Sequence, residues 1–169
     1  MRRISVFTVP LLLLGPWSRA GVILLLSFFA QSLSPSDSLA DVRISNMNNI
    51  GLGSWSGSGD VSDEDGVCIF NDGGPNYLIT ASGTGSGGSF RLTDSGNEVE
   101  FNVRFKGSSG GFTSLSPNSS HSFSAADQSD SNCSGGTNAT IEISVSESDL
   151  LAAHKGSYSG TLNLQVDPN

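Results

Sequence analysis

The C-terminal run from residue 156 to residue 168 alternates between two kinds of side chain, and this pattern constrains the fold more than any other feature. One parity holds Tyr158, Gly160, Leu162, Leu164 and Val166, with Ser, Thr, Asn and Gln between them. A period of two residues is typical of a β-strand with one buried face. The sequence ends three residues after Val166. We therefore expect this strand to be a sheet edge or to pair with another chain.

The composition favours an all-β domain with many turns. Glycine is abundant at 21 of 169 residues, charged residues make up only 14%, and short apolar alternations recur along the chain. Helix-favouring Glu, Lys and Arg are scarce, which argues against a helical bundle. A chain of this length allows one domain, or two small ones.

The charge balance argues against nucleic-acid binding. Residues 41–169 contain five basic and fifteen acidic side chains, which gives 5 − 15 = −10. A phosphate backbone would be repelled by such a surface. We therefore expect no nucleic-acid partner.

The cysteine inventory consists of Cys68 and Cys133. In an exported protein the simplest reading of one pair is one disulfide, here closing a large loop. The alternative is two free buried thiols.

The N-terminal segment has the pattern of a secretory signal peptide. Arg2 and Arg3 precede an apolar run, a second apolar run follows Arg19, and small residues stand at Ser38 and Ala40. Neither run reaches the roughly 18–20 residues that span a bilayer. We therefore assign residues 1–40 to a signal peptide and residues 41–169 to the folded domain, with no stable membrane span after its removal. A retained membrane anchor is the competing interpretation.

Residues 41–66 carry a weak strand pattern and an acidic cluster. Val42 and Ile44, then Ile50, Leu52 and Trp55, predict a first strand broken by residues 46–49. The acidic residues from Asp60 to Asp65 raise the question of calcium, which binds several converging carboxylates. The helix–loop–helix calcium spacing fails, because Asp65 stands where that loop needs glycine. We expect a solvated loop here and no metal site.

Clear strand signals follow from residue 67. Apolar runs at 67–70 and 77–81 are separated by a turn signal, and residues 90–92 lead through the turn at 94–97 into one alternating strand over 99–105. Residues 107–137 form a long Gly/Ser/Asn-rich stretch, and the pattern over residues 139–145 predicts another strand with Thr140, Glu142 and Ser144 facing outward.

Residues 146–156 predict a helical turn capped by Ser146, with Gly156 in the left-handed position at its end. Six or seven strands, one short helical turn and one disulfide predict an antiparallel Ig-like β-sandwich that is one strand short.

Several segments together resemble a known family. The ending AHKGSYSGTLNLQVDP (residues 153–168), the run CSGGTNATI (133–141), and the upstream VC (67–68), YLITA (77–81), GSFRL (88–92) and LGSW (52–55) occur in the family's order. This set is similar to spore coat protein U domains, the subunits of archaic chaperone–usher pili. The similarity covers roughly residues 44–168.

The resemblance implies an incomplete, pilin-type sandwich that lacks its seventh strand. A periplasmic chaperone would lend a strand beside the last one, and an arm of the neighbouring subunit would later replace it at the usher. Leu162, Leu164 and Val166 would then form one wall of an acceptor groove, and Tyr158 would be the corner residue ahead of it. The chain would pass through the periplasm to the cell surface as part of a fimbrium.

The chain departs from the family in its N-terminal arm. A donor arm needs about four or five alternating apolar residues before the first strand, and after Ala40 only Val42 and Ile44 qualify. We therefore expect a subunit that accepts a strand without donating one, either at a pilus tip or as a stand-alone secreted member.

Two other classes of function compete with assembly. His121 and His154 are the two histidines and stand 33 residues apart, and serines are too numerous to mark a nucleophile, so we predict no catalytic residues, no metal ligands and no cofactor. The alternative function is a stand-alone surface module that binds glycans or small ligands. In that reading Trp55, with Tyr77, Phe112 and Phe123, would supply the aromatic platform.

Overall fold

The computed structural model describes residues 40–169, and the proposed signal peptide therefore lies almost wholly outside the described residues. Residues 40–169 form ten strands and one α-helix, joined by turns that include two short 3-10 segments. The strands are β1 (Val42–Ser45), β2 (Val61–Asn71), β3 (Tyr77–Gly83), β4 (Arg91–Asp94), β5 (Asn97–Glu100), β6 (Asn102–Lys106), β7 (Thr113–Ser114), β8 (Ser120–Phe123), β9 (Ala139–Val145) and β10 (Leu162–Pro168). The helix α1 spans Glu147–Ala152. Within residues 40–169, no helix has the length and apolar character that crossing a membrane requires.

The strands form antiparallel sheets around one hydrophobic core. One sheet has the order β1-β2-β9-β6-β7, a second has the order β10-β3-β8, and β4 pairs with β5 in a separate hairpin. The core between them takes residues of alternate parity from each sheet: Val67, Ile69, Tyr77, Ile79, Ala81, Val103, Phe105, Ile141 and Val145. The predicted all-β sandwich with one helical turn is confirmed.

The predicted disulfide is also confirmed. Cys68 and Cys133 are bonded with an S–S distance of 2.05 Å. Cys68 lies in β2, fully buried, and Cys133 follows the long segment after β8. The bridge therefore holds the segment before β9 against the β1–β2 pair.

The acidic cluster does not form the solvated loop that the sequence predicted. Strand β2 begins at Val61, and its first half pairs with β9 from Val61 opposite Val145 to Val67 opposite Ala139. Asp63, Glu64 and Asp65 are thus strand residues. These acidic residues form a strand because β9 supplies a cross-strand partner for every residue of this half of β2. That pairing outweighs the low strand propensity of Asp and Glu.

The predicted single strand over residues 99–105 is divided between two sheets. Val99 belongs to β5 and pairs with Leu92 of β4, whereas Val103 belongs to β6 and pairs with Ile143 of β9. Phe101 lies between the two strands and is buried. The apolar alternation continues through the switch because both parts face the same core, so the periodicity alone gives no sign of it.

The excursion over residues 107–137 contains two strands that the sequence did not predict. Strand β7 pairs with β6, and β8 pairs with β3 from Thr80 opposite Ser120 to Tyr77 opposite Phe123.

Glu142 of β9, predicted to face outward, is only 7% exposed because the Arg104 guanidinium covers its carboxylate and donates two hydrogen bonds of 2.7 and 2.6 Å to it.

Candidate functional site

The last strand lies at the edge of its sheet. β10 pairs antiparallel with β3 along its whole length, from Leu162 opposite Gly83 to Pro168 opposite Tyr77. In the sheet order β10-β3-β8 it is the outermost member. Within residues 40–169, no backbone hydrogen bond reaches its other side.

The direction of the backbone groups shows which residues of β10 are unpaired. Ala81 of β3 accepts a hydrogen bond from the Asn118 N–H (2.8 Å), on the side of β8. In an antiparallel strand both polar groups of a residue point to the same side and alternate along the chain, so Thr80 and Ser82 bond β10. Their partners are Gln165 and Asn163. It follows that the N–H and C=O groups of Leu162, Leu164 and Val166 face the open edge.

The apolar face of β10 is incompletely covered. Leu162, Leu164 and Val166 are half-buried, whereas Ile79 and Ala81, opposite Val166 and Leu164 on β3, are 0% exposed. The alternation predicted from the sequence is therefore present, but its inward side chains contact the core on one flank only. Leu162 and Leu164 line an open cleft of about 1150 Å³.

The floor and far wall of this cleft carry many apolar side chains, with polar ones such as Asn49, Ser54 and Thr161 among them. The apolar side chains come from the start of β2, from the hairpin β4–β5 and the residue after it, from β9, from α1, and from the segment that follows β1: Ile50, Leu52, Val61, Leu92, Val99, Phe101, Ile141, Ile143, Val145 and Leu150. The charged or titratable residues at the cleft are Asp65, His154, Lys155 and Tyr158. Asp65 is already engaged, because it accepts hydrogen bonds from the backbone N–H (2.7 Å) and the side chain (3.0 Å) of Asn48.

The wall opposite β10 is held mainly at its ends. Asn46 donates from its side chain to the Gly136 carbonyl (2.6 Å), and Asn48 is bonded to Asp65. At the other end of this wall, the Asp60 carboxylate accepts a hydrogen bond from the Glu147 N–H (2.8 Å). Between the two ends, residues 49–59 make one hydrogen bond, a local one from the Trp55 indole N–H to the Gly59 carbonyl (2.8 Å). No strand forms here in the described chain, so the second half of the predicted first strand, Ile50 to Trp55, is wrong. The unpaired Asn, Gly and Ser residues favour loop conformations that the two apolar side chains do not overcome.

The turn between α1 and β10 is fixed by side-chain and backbone contacts. Ser146 caps α1 by accepting from the Asp149 N–H (3.2 Å), as predicted. Tyr158 donates its hydroxyl to the His154 carbonyl (3.0 Å), and Ser159 exchanges two backbone bonds with Thr93 of β4. Gly156 has no positive φ, so its predicted left-handed role is wrong: α1 ends earlier, at Ala152. A side chain at Gly156 would instead collide with the Asp94 carboxylate.

The four aromatic residues of the binding-module interpretation are not gathered on one surface. Tyr77 is 1% exposed and packs in the core against Phe123, with ring centroids 5.9 Å apart. Phe112 lies beneath Arg104 and Lys106 on the β6 side. Trp55 is half-buried and lines the cleft. The proposed sugar platform is therefore incorrect as a set, because Tyr77 and Phe123 are needed to fill the core.

The histidines and acidic groups are dispersed. His121 lies on β8 and His154 follows α1, and residues 40–169 contain no group of three or more His, Cys, Asp or Glu side chains arranged to hold a metal ion. Asp127 and Asp130 have lowered pKa values, in the first case through the backbone N–H groups of Ser129 and Asp130 and in the second chiefly through that of Asn132. Both carboxylates thus order the segment before β9.

Comparison with known proteins gives a relationship in fold. No protein-family model and no curated protein matches the chain in sequence. Among solved structures, a chain from a chaperone–tip adhesin complex, described as vital for synergistic activation of CFA/I fimbriae biogenesis, superposes with a TM-score of 0.52 and 12% identity. The match covers 76% of this chain and 43% of that chain, so this protein spans less than half the length of its neighbour. The fold is therefore one that occurs in a fimbrial chaperone–adhesin assembly.

Proposed function

We propose that this protein is a structural subunit of a chaperone–usher type fimbrium or surface coat, completed by a β-strand from another protein. The observation that carries the proposal is the combination, along β10, of an unpaired strand edge and an apolar cleft. It is supported by the sequence pattern of spore coat protein U domains and by the fold shared with a fimbrial complex.

The chemistry of the cleft favours an extended peptide over a compact ligand. Three residues of β10, Leu162, Leu164 and Val166, present N–H and C=O groups to the open side, and their own side chains lie on the inward face. An added strand would satisfy these groups at Leu162 and Leu164, the two of the three residues that line the cleft, and would bury its own alternate side chains there. Strand addition of this kind obtains affinity from the backbone and specificity from the side-chain pockets.

The partners in this proposal are a periplasmic chaperone, the usher and neighbouring subunits. Residues 1–40 would direct export as a signal peptide, and the folded domain would pass through the periplasm to the cell surface. The role is non-enzymatic, in keeping with the fimbrial neighbour. An uncovered edge beside apolar surface would otherwise promote association between chains, and a chaperone strand prevents this.

The use of β1 supports a terminal or stand-alone position for the subunit. Val42 and Ile44, the two apolar residues available to a donor arm, pair instead with Asn71 and Ile69 of β2. They are therefore engaged in the protein's own sheet. A donor-peptide assay in which residues 41–50 complement another subunit would contradict this position.

The proposal predicts a large response of thermal stability to an added strand. The full chain is melted with and without its chaperone or a library of apolar alternating peptides, and a complementing peptide at about 1,000 times its Kd should raise Tm by about 10 °C or more. Leu164→Arg should abolish the rise by placing a charge in the cleft. The matched control is Gln165→Arg on the exposed outer face, which should retain it.

A chain that is already stable and indifferent to every peptide would contradict the assembly role. In that case the alternative of a stand-alone glycan- or small-ligand-binding module would be tested on a glycan array. Trp55→Ala, which removes an aromatic ring from the cleft wall, is the appropriate control there.

A further inference from the structure

The two ends of the sandwich differ in how completely they are filled. At the end where β3 begins, the rings of Tyr77, Phe105 and Phe123 pack together, with centroid separations of 6.5, 5.9 and 4.7 Å. Tyr77 and Phe105 are 1% and 0% exposed. None of these three rings lines the cleft, which lies towards α1 and the β4–β5 hairpin. The cleft along β10 therefore lies at the other end of the core.

Strand β1 marks the limit of the cleft. β1 pairs with the end of β2, with Val42 opposite Asn71, and the C-terminal end of β10 pairs with the start of β3, with Val166 opposite Ile79. The end of β2 and the start of β3 are joined by a five-residue turn, so β1 and Val166 lie at the same end of the molecule. Cα atoms of β1 approach those of β10 within 8 Å. Val166, unlike Leu162 and Leu164, does not line the cleft.

We infer that the acceptor site is short: it takes a strand with three alternating large apolar side chains, two opposite Leu164 and Leu162 and one further towards α1. This inference rests on the proposed function and specifies the partner of the same site. Beyond Leu164, towards Val166, the incoming strand meets β1 and the filled end of the core. Apolar residues of the partner at that end would have no cavity to occupy.

The hydrogen-bonding pattern of β10 sets the spacing of those side chains. In a partner strand that runs antiparallel to β10, the residues that bond Leu162 and Leu164 lie directly opposite them, and directly opposed residues share one face of the sheet. The partner's bonded residues are therefore also its inward residues, two positions apart. Because the cleft floor is apolar, an unpaired charge at either position would be strongly disfavoured.

The rim of the cleft extends this apolar surface at the same end. Among residues 40–169, the two large hydrophobic side chains with high exposure are Met47 at 49% and Leu151 at 66%, and both line the cleft. Met47 belongs to the wall after β1 and Leu151 to α1. The partner that supplies the strand would thus also contact these two side chains at the rim of the cleft.

A peptide length series tests the inference without altering the protein. Synthetic peptides with two, three, four or five leucines at alternate positions, separated by serines, are titrated against the full chain. Affinity should rise about tenfold or more from two leucines to three, since each buried leucine contributes on that scale, and then level off. A further tenfold gain from three leucines to five would overturn the short site.

Variants of β10 provide the second measurement. Leu162→Ala and Leu164→Ala should each weaken the three-leucine peptide by roughly tenfold. Val166→Ala is the matched control on the same strand and face, and it should change the affinity by less than about threefold on the same scale. An equal loss in Val166→Ala would show a site that runs the length of β10, and would overturn the inference while leaving strand addition intact. Failure of every peptide to bind would instead remove the proposed function, and the inference with it.

Discussion

At the scale of single residues, Tyr77 is the side chain whose burial has the clearest measurable consequence. Burial disfavours the phenolate and raises the pKa of Tyr77 from 10.0 to about 12. The folded-state pKa is thus above the unfolded value, so its contribution to stability is complete below pH 10 and is lost as the pH rises from 10 to 12. Urea unfolding at a series of alkaline pH values should show this decline.

The matched variant for that measurement is Tyr77→Phe, which keeps the ring against Phe105 and Phe123 and removes the ionisable group. Its free energy of unfolding should fall less steeply than that of the parent protein between pH 10 and pH 12. Identical slopes for the two proteins would contradict the assignment of the alkaline loss to Tyr77.

Asn138 shows how a single residue can have a role that the sequence does not display. Its side chain accepts from the Ile69 N–H (2.8 Å) and donates to the Ile69 carbonyl (2.8 Å), which prolongs the β2–β9 pairing by one step. In the sequence the same residue reads as part of an Asn-x-Thr motif ahead of a strand. Only the register of two distant strands gives it this structural function.

At the scale of elements, the disulfide between β2 and the segment before β9 should contribute substantially to stability. It joins residues 65 positions apart. The chain-entropy model gives about 4 kcal/mol for a loop of that size. Reduction should lower the free energy of unfolding by about that amount. The double variant Cys68→Ala/Cys133→Ala should be less stable and insensitive to reductant, whereas a reductant effect that persists in it would contradict this account.

Elements with strict alternation were predictable, and those defined by their partners were not. β3, β9 and β10 follow their apolar pattern, and Ser95-Gly96, both with positive φ, make the predicted tight turn between β4 and β5. β8 has only two inward-facing side chains that could indicate a strand, His121 and Phe123, and the first half of β2 is acidic. Both are strands because a neighbour, β3 or β9, offers them a complete hydrogen-bonding edge.

The candidate site was predictable in part for the same reason. The parity of Leu162, Leu164 and Val166 identified the inward face of β10 from the sequence. The far wall and floor could not be predicted, because they combine the loop after β1, the β4–β5 hairpin and α1. The sheet switch at Phe101 brings the hairpin to this place, and a continuous apolar pattern conceals the switch.

At the scale of the whole domain, residues 40–169 form a sandwich with a filled end and an open end. The filled end has the aromatic core beside β1, and the open end has the cleft between β10, the β4–β5 hairpin and α1. The open edge of β10 is the central claim, because both the assembly role and the short acceptor site depend on it. Hydrogen exchange of the β10 backbone amides, with and without a bound strand, tests it most directly.

In the free protein, the amides of Asn163 and Gln165 should exchange slowly, because they bond β3, and those of Leu162 and Leu164 should exchange fast. A chaperone or complementing peptide should slow Leu162 and Leu164 and leave the other two slow. Slow exchange at Leu162 and Leu164 before any partner is added would contradict an open edge. So would exchange at these two residues that stays fast in the saturated complex.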